Sequence, residues 1–214
     1  MSPQNIRLAP RKTPVQSRSA ATIDTLHEAT IQVLLKEGLV RCNTTRIAER
    51  AGISVGSIYQ YYPNRDSLLA AILGRHLDHV ASQIEQVCIE NQGQSLVTMV
   101  SALVHEIFLT KLSHPQKSRA LYAIAAERGG AQLSKKMSDR MIIAITDLLE
   151  SASDIKFKES VVLAEIILST IMGSIRRVLE NQVTEKAEQQ LEHHLNLMVT
   201  VYLQQVGIER KSAN

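Results

Sequence analysis

The 214-residue chain has few of the residues that are typical of disulfide- or metal-stabilised, membrane-spanning or β-rich proteins. Its two cysteines, Cys42 and Cys88, have neither the number nor the spacing of a disulfide framework or a zinc cluster. A reduced, cytoplasmic setting is therefore expected. No apolar run approaches the ~18 residues of a membrane span, and the first residues lack the apolar segment of a secretory signal. The sequence thus predicts no membrane partner.

Turn-forming and aromatic residues are also scarce. The chain has nine glycines and five prolines, and it contains no Asn-Gly or Asp-Gly hairpin signal. Aromatic residues make up 3% of the chain, too few for most β-sandwiches and barrels. The 44% of hydrophobic residues recur mainly at helical spacing. The sequence therefore predicts an all-α fold with about nine helices.

Positive charge is concentrated in the N-terminal third. Residues 1–76 carry a net charge of +5, whereas residues 77–214 carry −2. This asymmetry is typical of a small anion-binding module on a near-neutral body, and nucleic acid is the commonest such anion. Within the basic third, residues 1–16 are polar and proline-containing. We expect this segment to be a flexible arm, which could enter a minor groove through the basic side chains Arg7, Arg11, Lys12 and Arg18.

Two short predicted helices, near residues 45–51 and 54–61, are arranged as a helix-turn-helix. Thr44 and Ser54 are the predicted N-caps. Ala48 is small enough for a steep helix crossing, and Gly52 permits a left-handed turn. Three isoleucines form the predicted apolar joint: Ile47, Ile53 and Ile58. Because the second helix is short and polar outside, it fits a major groove ~12 Å wide.

Residues 44–54 and 58–69 resemble the signature of the tetracycline-repressor (TetR) family of bacterial regulators, within a similar stretch from about Gln16 to Leu73. The resemblance implies a homodimeric transcriptional regulator, usually a repressor that a small molecule releases from operator DNA. It implies a DNA-binding domain at 1–64 and a ligand-binding and dimerisation domain at 65–214. Four positions depart from the residues usual in the family. His27 stands where an apolar residue is usual, and Thr30 stands where alanine is usual. Tyr62 replaces the usual phenylalanine, and Arg65 replaces the usual lysine.

The resemblance also suggests which residues touch double-stranded operator DNA. Arg46 matches a position that can reach a base edge, where arginine bonds guanine through two hydrogen bonds. Small residues open the second helix, so DNA shape could matter more than direct readout. Tyr59 and Tyr61 resemble phosphate contacts. The whole predicted set is Thr45, Arg46, Ser54, Val55, Gly56, Ser57, Tyr59, Tyr61 and Arg65.

Apolar residues on the last two predicted helices exceed what one inward-facing stripe needs. In 156–181 they cover more than one face, and Gly173 would permit close approach of another helix. A second stripe lies in 184–206. We therefore expect a four-helix interface between two copies of the chain. The predicted interface residues are Leu168, Ile171, Gly173, Ile175, Leu191, Leu195, Met198 and Tyr202.

Between residues 76 and 151 the sequence suggests an apolar effector pocket. Its predicted lining is Met99, Leu103, His105, Phe108, Tyr122, Met137 and Met141. Methionines can re-pack around varied apolar guests, and His105 could meet one polar or anionic end of the effector. An ordinary filled core is the alternative interpretation of the same pattern.

Signatures of catalysis are absent from the sequence. It shows no glycine-rich phosphate loop, nucleophile elbow or paired-carboxylate pattern, and no convincing metal-ligand spacing. We expect no enzyme activity, no metal and no cofactor. Two other functions stay open: a dimeric DNA-binding protein without an effector, and a helical enzyme or carrier with an appended DNA reader. No motif in the sequence identifies the effector, the operator or the regulated genes.

Overall fold

A computed structural model of the chain describes residues 17–126, 130–181 and 184–210, with side chains from residue 19 onward. The predicted basic arm lies outside these residues. The described part contains nine helices, which confirms the predicted all-α fold. They are α1 (Ser17–Arg41), α2 (Thr44–Ala51), α3 (Val55–Tyr61), α4 (Arg65–Glu90), α5 (Leu96–Leu112), α6 (Pro115–Ala125), α7 (Gly130–Glu150), α8 (Ser160–Asn181) and α9 (Glu185–Val206).

A short antiparallel strand pair, which the sequence did not predict, follows two of these helices. Strand β1 (Ile155–Lys156) comes after α7, and its partner β2 (Ile208–Glu209) comes after α9. Gly207 separates α9 from β2, and a Cβ atom there would overlap the side chain of Ile155. A glycine is therefore needed for the close approach of the two strands.

Contacts divide the chain into two compact units. The N-terminal unit runs to Leu77 and also includes Gln116–Ser134, whereas the C-terminal unit comprises Asp78–Pro115 and the chain from Lys135 onward. The sequence instead predicts a boundary after residue 64. The difference arises because the first half of α4 and most of α6 contribute side chains to the core of the N-terminal unit.

The core of the N-terminal unit is built by five helices. Its buried residues include Leu26 and Val33 of α1, Ile47 of α2, Ile58 of α3, Leu68 and Leu73 of α4, and Leu121 and Ile124 of α6. Within α1, Gly38 has φ +76° and ψ 171°, which interrupts the regular helix. This is where the sequence predicts the helix to end, because glycine accepts a positive φ without strain.

In the C-terminal unit α5 packs against both α8 and α9. Its buried face ends in a charged residue: Leu96, Met99, Val100, Leu103, Val104, Ile107, Phe108 and Lys111. The start of α5 is held by Asp154, whose carboxylate accepts a hydrogen bond from the Leu96 amide at 2.9 Å. Arg140 of α7 bonds Glu85 of α4 through Nε and Nη2, at 2.8 and 2.6 Å. These contacts fix the helices around α5.

Both cysteines are buried free thiols. Burial raises the pKa of Cys42 to about 11 and that of Cys88 to about 12. Both are therefore protonated at neutral pH, as expected for structural rather than reactive cysteines. In the described ranges no single helix is long and apolar enough to cross a membrane, although α5 and α6 taken together meet that criterion across the break between them.

Candidate nucleic-acid interface

Two capped ends and one left-handed turn define the helix-turn-helix. The side chain of Ser54 accepts a hydrogen bond from the Ser57 amide at 3.1 Å, which confirms it as the N-cap of α3. Gly52 ends α2 with φ 68° and ψ 30°, the predicted left-handed conformation. The prediction of Thr44 as the N-cap of α2 is wrong. Asn43 has that role, and its Oδ1 accepts a hydrogen bond from the Arg46 amide at 3.0 Å.

The joint between α2 and α3 is apolar and closed. Ile47 and Ile58 are fully buried and Ala48 nearly so, while Ile53 is half-buried at the turn. Burial of this face fixes which side of α3 meets solvent. The exposed residues of α3 and its cap are Ser54, Gly56, Tyr59 and Gln60, with Val55 and Ser57 half-buried beside them. This small, polar face is suited to close approach by a nucleic-acid groove.

Three tyrosines at the end of α3 have three different environments. Tyr59 is 41% exposed, and its hydroxyl lies 3.5 Å from the Thr44 hydroxyl at the start of α2. Tyr61 is half-buried and packs at the edge of the core. Tyr62 is buried, as the sequence predicts for a core residue. Tyr59 and Thr44 thus bring two hydroxyl groups together on the surface.

Arg65 makes two hydrogen bonds inside the N-terminal unit, and its predicted phosphate contact stays a prediction. Its Nε donates to the carbonyl oxygen of Cys42 at 2.5 Å, and its Nη2 donates to that of Leu39 at 2.7 Å. These carbonyls belong to the chain that leaves α1 after Gly38. The ammonium of lysine, the residue usual at this position in the family, would bond them as a point charge rather than with a planar fork. The departure to arginine therefore adds a geometric tie between α4 and the end of α1.

The departures at His27 and Tyr62 are coupled to each other. His27 Nε2 and the Tyr62 hydroxyl lie 2.7 Å apart and bond to each other inside the core, while His27 Nδ1 is buried without a hydrogen-bond partner among the described residues. Burial, together with the nearby positive charge of Arg75, lowers the pKa of His27 to about 4. Burial also raises the pKa of Tyr62 to about 12. His27 is therefore neutral at physiological pH, and the pair replaces the usual apolar residue and phenylalanine together.

The guanidinium groups of α2 turn toward α1. Arg46 forms a close ion pair with Glu37 through Nη1, and Nε of Arg50 donates to the side-chain oxygen of Gln32 at 2.5 Å. These residues line an open groove on the surface of the N-terminal unit: Gln32, Val33, Leu35, Lys36, Glu37, Arg46, Glu49 and Arg50. Side chains on α1 therefore hold the arginine that the sequence predicts for base reading.

The predicted dimer surface is corrected by the packing of α8 and α9. Four of its residues are buried inside the chain's own core: Leu168, Ile171, Ile175 and Leu195. Gly173, Met198 and Tyr202 are exposed as predicted, and Leu191 is half-buried. The exposed apolar face instead consists of Val161, Val162 and Ile166 on α8 with Leu197, Met198, Val201 and Tyr202 on α9. Sequence periodicity identified part of this face on α9 but chose the wrong side of α8, because both sides of α8 are apolar.

The predicted effector-pocket residues are divided among several environments. Met99, Leu103, Phe108, Met137 and Met141 are buried in the C-terminal unit, whereas Tyr122 belongs to the N-terminal unit. The His105 side chain is 66% exposed, with its Nδ1 2.9 Å from Glu192. Lys111, which the sequence analysis overlooked, is 3% exposed. The one sequence feature that could have predicted its burial is its position in the apolar stripe of α5.

A second surface groove lies in the C-terminal unit, lined by Val97, Gln189, Glu192, His193, Asn196, Leu197 and Thr200. None of the predicted pocket residues lines it. Across the described parts of the chain, no group of three or more His, Cys, Asp or Glu side chains is placed to hold a metal ion.

Comparison with known proteins identifies the family. Residues 26–72 match the family described as bacterial regulatory proteins, tetR family. Residues 95–203, half of the chain, match the tetracyclin repressor-like C-terminal domain. The chain belongs to the tetracycline-repressor family of bacterial regulatory proteins. It is a DNA-binding transcriptional regulator, as the helix-turn-helix predicts.

Relatives of the chain are distant in sequence. The HTH-type transcriptional repressor KstR of Mycolicibacterium smegmatis is 25% identical over 153 residues, which cover 70% of this chain and 74% of KstR. The nucleoid occlusion factor SlmA of Pasteurella multocida is 22% identical and covers 78% of this chain and 86% of its own. The structure of the regulator FadR from Bacillus subtilis in complex with stearoyl-CoA superposes with a TM-score of 0.69 at 14% identity, over 83% of this chain and 97% of FadR. This structural likeness shows the shared fold.

The His27–Tyr62 pair predicts a pH dependence of stability. The folded-state pKa of His27 is about 4, below its ordinary 6.5, so the unfolded chain binds the extra proton between these values. The free energy of unfolding should therefore fall as the pH drops from 6.5 toward 4. The double variant His27→Leu/Tyr62→Phe should lose less stability over that window. Denaturant unfolding at pH 7 and pH 4.5 measures the difference.

The single variant Tyr62→Phe is the matched control, because it keeps the titrating histidine. It should be destabilised by about 1–3 kcal/mol, since the buried imidazole loses its partner, and it should retain the pH dependence. Equal pH dependence in the wild type and the double variant would contradict the assignment.

Proposed function

We propose that the chain is a homodimeric repressor that reads operator DNA with α2 and α3 and leaves it when a small apolar effector binds the C-terminal unit. The observation that carries this proposal is the exposed polar face of α3 above a closed apolar joint. Its leading residues, Val55, Gly56 and Ser57, are small, so the helix can approach the bases closely. Such a face reads DNA largely through shape and deformability.

We expect the hydroxyl groups and amides around this face to contact the DNA phosphates. The hydroxyls of Tyr59 and Thr44 are close enough to donate to one phosphate, and Thr45 adjoins them at the first turn of α2. Because a helix N-terminus favours anions, the starts of α2 and α3 reinforce these contacts. Arg46 adds the base contact, through two hydrogen bonds to guanine. Ser54 and the half-buried Tyr61 complete the proposed surface; Arg65, turned inward, is left out.

The DNA-binding proposal is tested with two substitutions. Tyr59→Phe removes only a hydroxyl and should weaken binding to all sequences alike, because phosphate contacts carry no sequence information. Arg46→Ala should weaken binding by about 1–3 kcal/mol and relax base preference at one position. Gel shifts with a duplex selected from a random library by the full chain measure both effects.

Ser113→Ala is the control, since it also removes one exposed hydroxyl, at the end of α5 and outside the proposed DNA and dimer surfaces, and should leave DNA affinity unaltered. Wild-type affinity in both Tyr59→Phe and Arg46→Ala would count against α2 and α3 as the reading surface.

The dimer proposal rests on the exposed apolar face of α8 and α9. Seven large apolar side chains are 37–54% exposed on these two helices, and such a concentration of exposed apolar side chains usually marks an interface. Gly173 lies on α8, and among the described residues no atom of another part of the chain comes within 4 Å of a Cβ atom built on it. A glycine facing open space on a helix is explained if a partner helix approaches closely. The face therefore fits a second copy of the chain related by two-fold symmetry.

Val201→Glu should disrupt this dimer, because it places a charge at the centre of the apolar face. We expect sedimentation equilibrium to change from the dimer to the monomer mass at micromolar concentration. Ile143→Glu is the control, since Ile143 is equally apolar and 63% exposed on α7, outside the proposed interface. A monomeric wild-type chain, or a dimeric Val201→Glu variant, would refute this interface.

The effector proposal replaces His105 with Lys111 as the polar anchor. His105 is exposed, with its Nδ1 beside the carboxylate of Glu192. Lys111 is buried at the end of the apolar stripe that includes Leu103 and Phe108, which places its charge next to apolar side chains. Burial lowers the pKa of Lys111 to about 8, so it remains mostly protonated at neutral pH. A buried cation beside an apolar stripe suits a molecule with a long apolar part and one anionic end. The acyl-CoA bound to FadR has this chemistry.

A pair of probes of equal chain length tests the effector class. Stearate should raise the melting temperature of the wild type more than octadecanol does, since only stearate carries a negative charge. Lys111→Met should abolish the difference, whereas Lys158→Met, which alters an exposed lysine, should preserve it. Absence of any shift with either probe would favour the alternative, a dimeric DNA-binding protein without an effector.

A further inference from the structure

The ion pair between Glu37 and Arg46 joins the end of α1 to the start of α2. Glu37 Oε2 contacts Nη1 of Arg46; the side chains are 21% and 45% exposed respectively. Across the residues that the structure describes, Nη1 is the only atom of this guanidinium with a bonded partner. Its Nε and Nη2 donors therefore remain available for another ligand.

Both members of the pair are carried on well-fixed backbone. Glu37 precedes Gly38, where the chain turns with φ +76°. The carbonyls that follow are held by Arg65. On the other side, the amide of Arg46 is bound by the Asn43 cap at 3.0 Å. These bonds fix the backbone on both sides of the pair, and the contact with Glu37 then gives the Arg46 guanidinium one direction in the unbound chain.

We propose that Glu37 is a positioning residue that aims Arg46 and thereby determines sequence specificity. The proposal rests on the proposed function, in which Arg46 contacts a base edge. A guanidinium tethered at Nη1 keeps a two-donor edge of Nε and Nη2, which matches the O6 and N7 acceptors of guanine. The ion pair already restricts the rotamers of Arg46, so less conformational entropy is lost on binding.

The same tether disfavours nonspecific contacts. An untethered arginine could swing to whichever phosphate lies nearest, which strengthens binding to every sequence. The carboxylate of Glu37 keeps Arg46 from doing so and repels phosphates close to it. Glu37 therefore raises the ratio of operator affinity to unrelated-DNA affinity in two ways: it favours the base contact in the operator, and it disfavours phosphate contacts with any sequence.

Glu37→Gln tests this proposal, with Glu49→Gln as the matched control. Glu49 lines the same groove and carries the same charge, yet in the described structure Arg46 pairs with Glu37 and not with Glu49. Both variants remove one negative charge near DNA, so both should bind unrelated duplex more tightly. Only Glu37→Gln should lose specificity, with the ratio of operator to scrambled-duplex affinity falling about threefold to tenfold.

The experiment uses the full-length chain, a duplex selected from a random library by the wild type, and a scrambled duplex of equal length. Titrations over a range of salt concentrations should give a steeper slope for Glu37→Gln on the scrambled duplex, by about one phosphate contact. In an Arg46→Met background, Glu37→Gln should no longer change the affinity ratio. Melting temperatures establish that all variants are folded.

Equal affinity ratios for Glu37→Gln and Glu49→Gln would overturn the proposal and reduce Glu37 to a surface charge. Tighter operator binding by Glu37→Gln than by Glu49→Gln would also overturn it, since Glu37 would then compete with DNA for Arg46. Failure of the proposed function has a different result: the wild type would show no preference for any selected duplex, and Tyr59→Phe would have no effect.

Discussion

Two hydrogen bonds from the Arg65 guanidinium to the carbonyl oxygens of Leu39 and Cys42 fix the DNA-reading part of the molecule. The Leu39 carbonyl lies in the last turn of α1, after the interruption at Gly38, and that of Cys42 lies just beyond the helix; one charged donor from α4 bonds both. These two hydrogen bonds determine where α2 begins. They therefore also determine where Asn43 caps the helix and in which direction Arg46 points. The orientation of α3 follows, because Ile47 and Ile58 meet in the joint between the two helices.

Departures from the usual family residues are compensated locally. His27 would be a buried polar group without a partner if Tyr62 were the usual phenylalanine, and the Tyr62 hydroxyl would lack a partner beside an apolar residue. Together they form one hydrogen bond and leave the surrounding core intact. Arg65 likewise gains two carbonyl partners that suit a planar guanidinium. The family fold thus tolerates paired or geometrically matched changes at the contacts that position its reading helix.

Features determined by neighbouring residues were predictable from the sequence. The Ser54 cap, the left-handed Gly52 and the interruption at Gly38 all depend on side chains or dihedral angles within a few positions. Features determined by distant contacts were not. The inward turn of Arg65 depends on α1, 26 residues away, and the choice of buried face on α8 depends on α5. Because Leu168 and Ile166 are equally apolar, periodicity alone could not tell which one faces the core.

We propose that two copies of the chain, joined through α8 and α9, present two α2–α3 surfaces to one DNA duplex. Hydroxyl-radical footprinting of the full-length chain on a duplex selected from a random library tests it most directly. The account predicts two protected segments on one face of the DNA, centred about 34–36 Å, or one helical turn, apart. A single protected segment, with one chain bound per duplex, would contradict it.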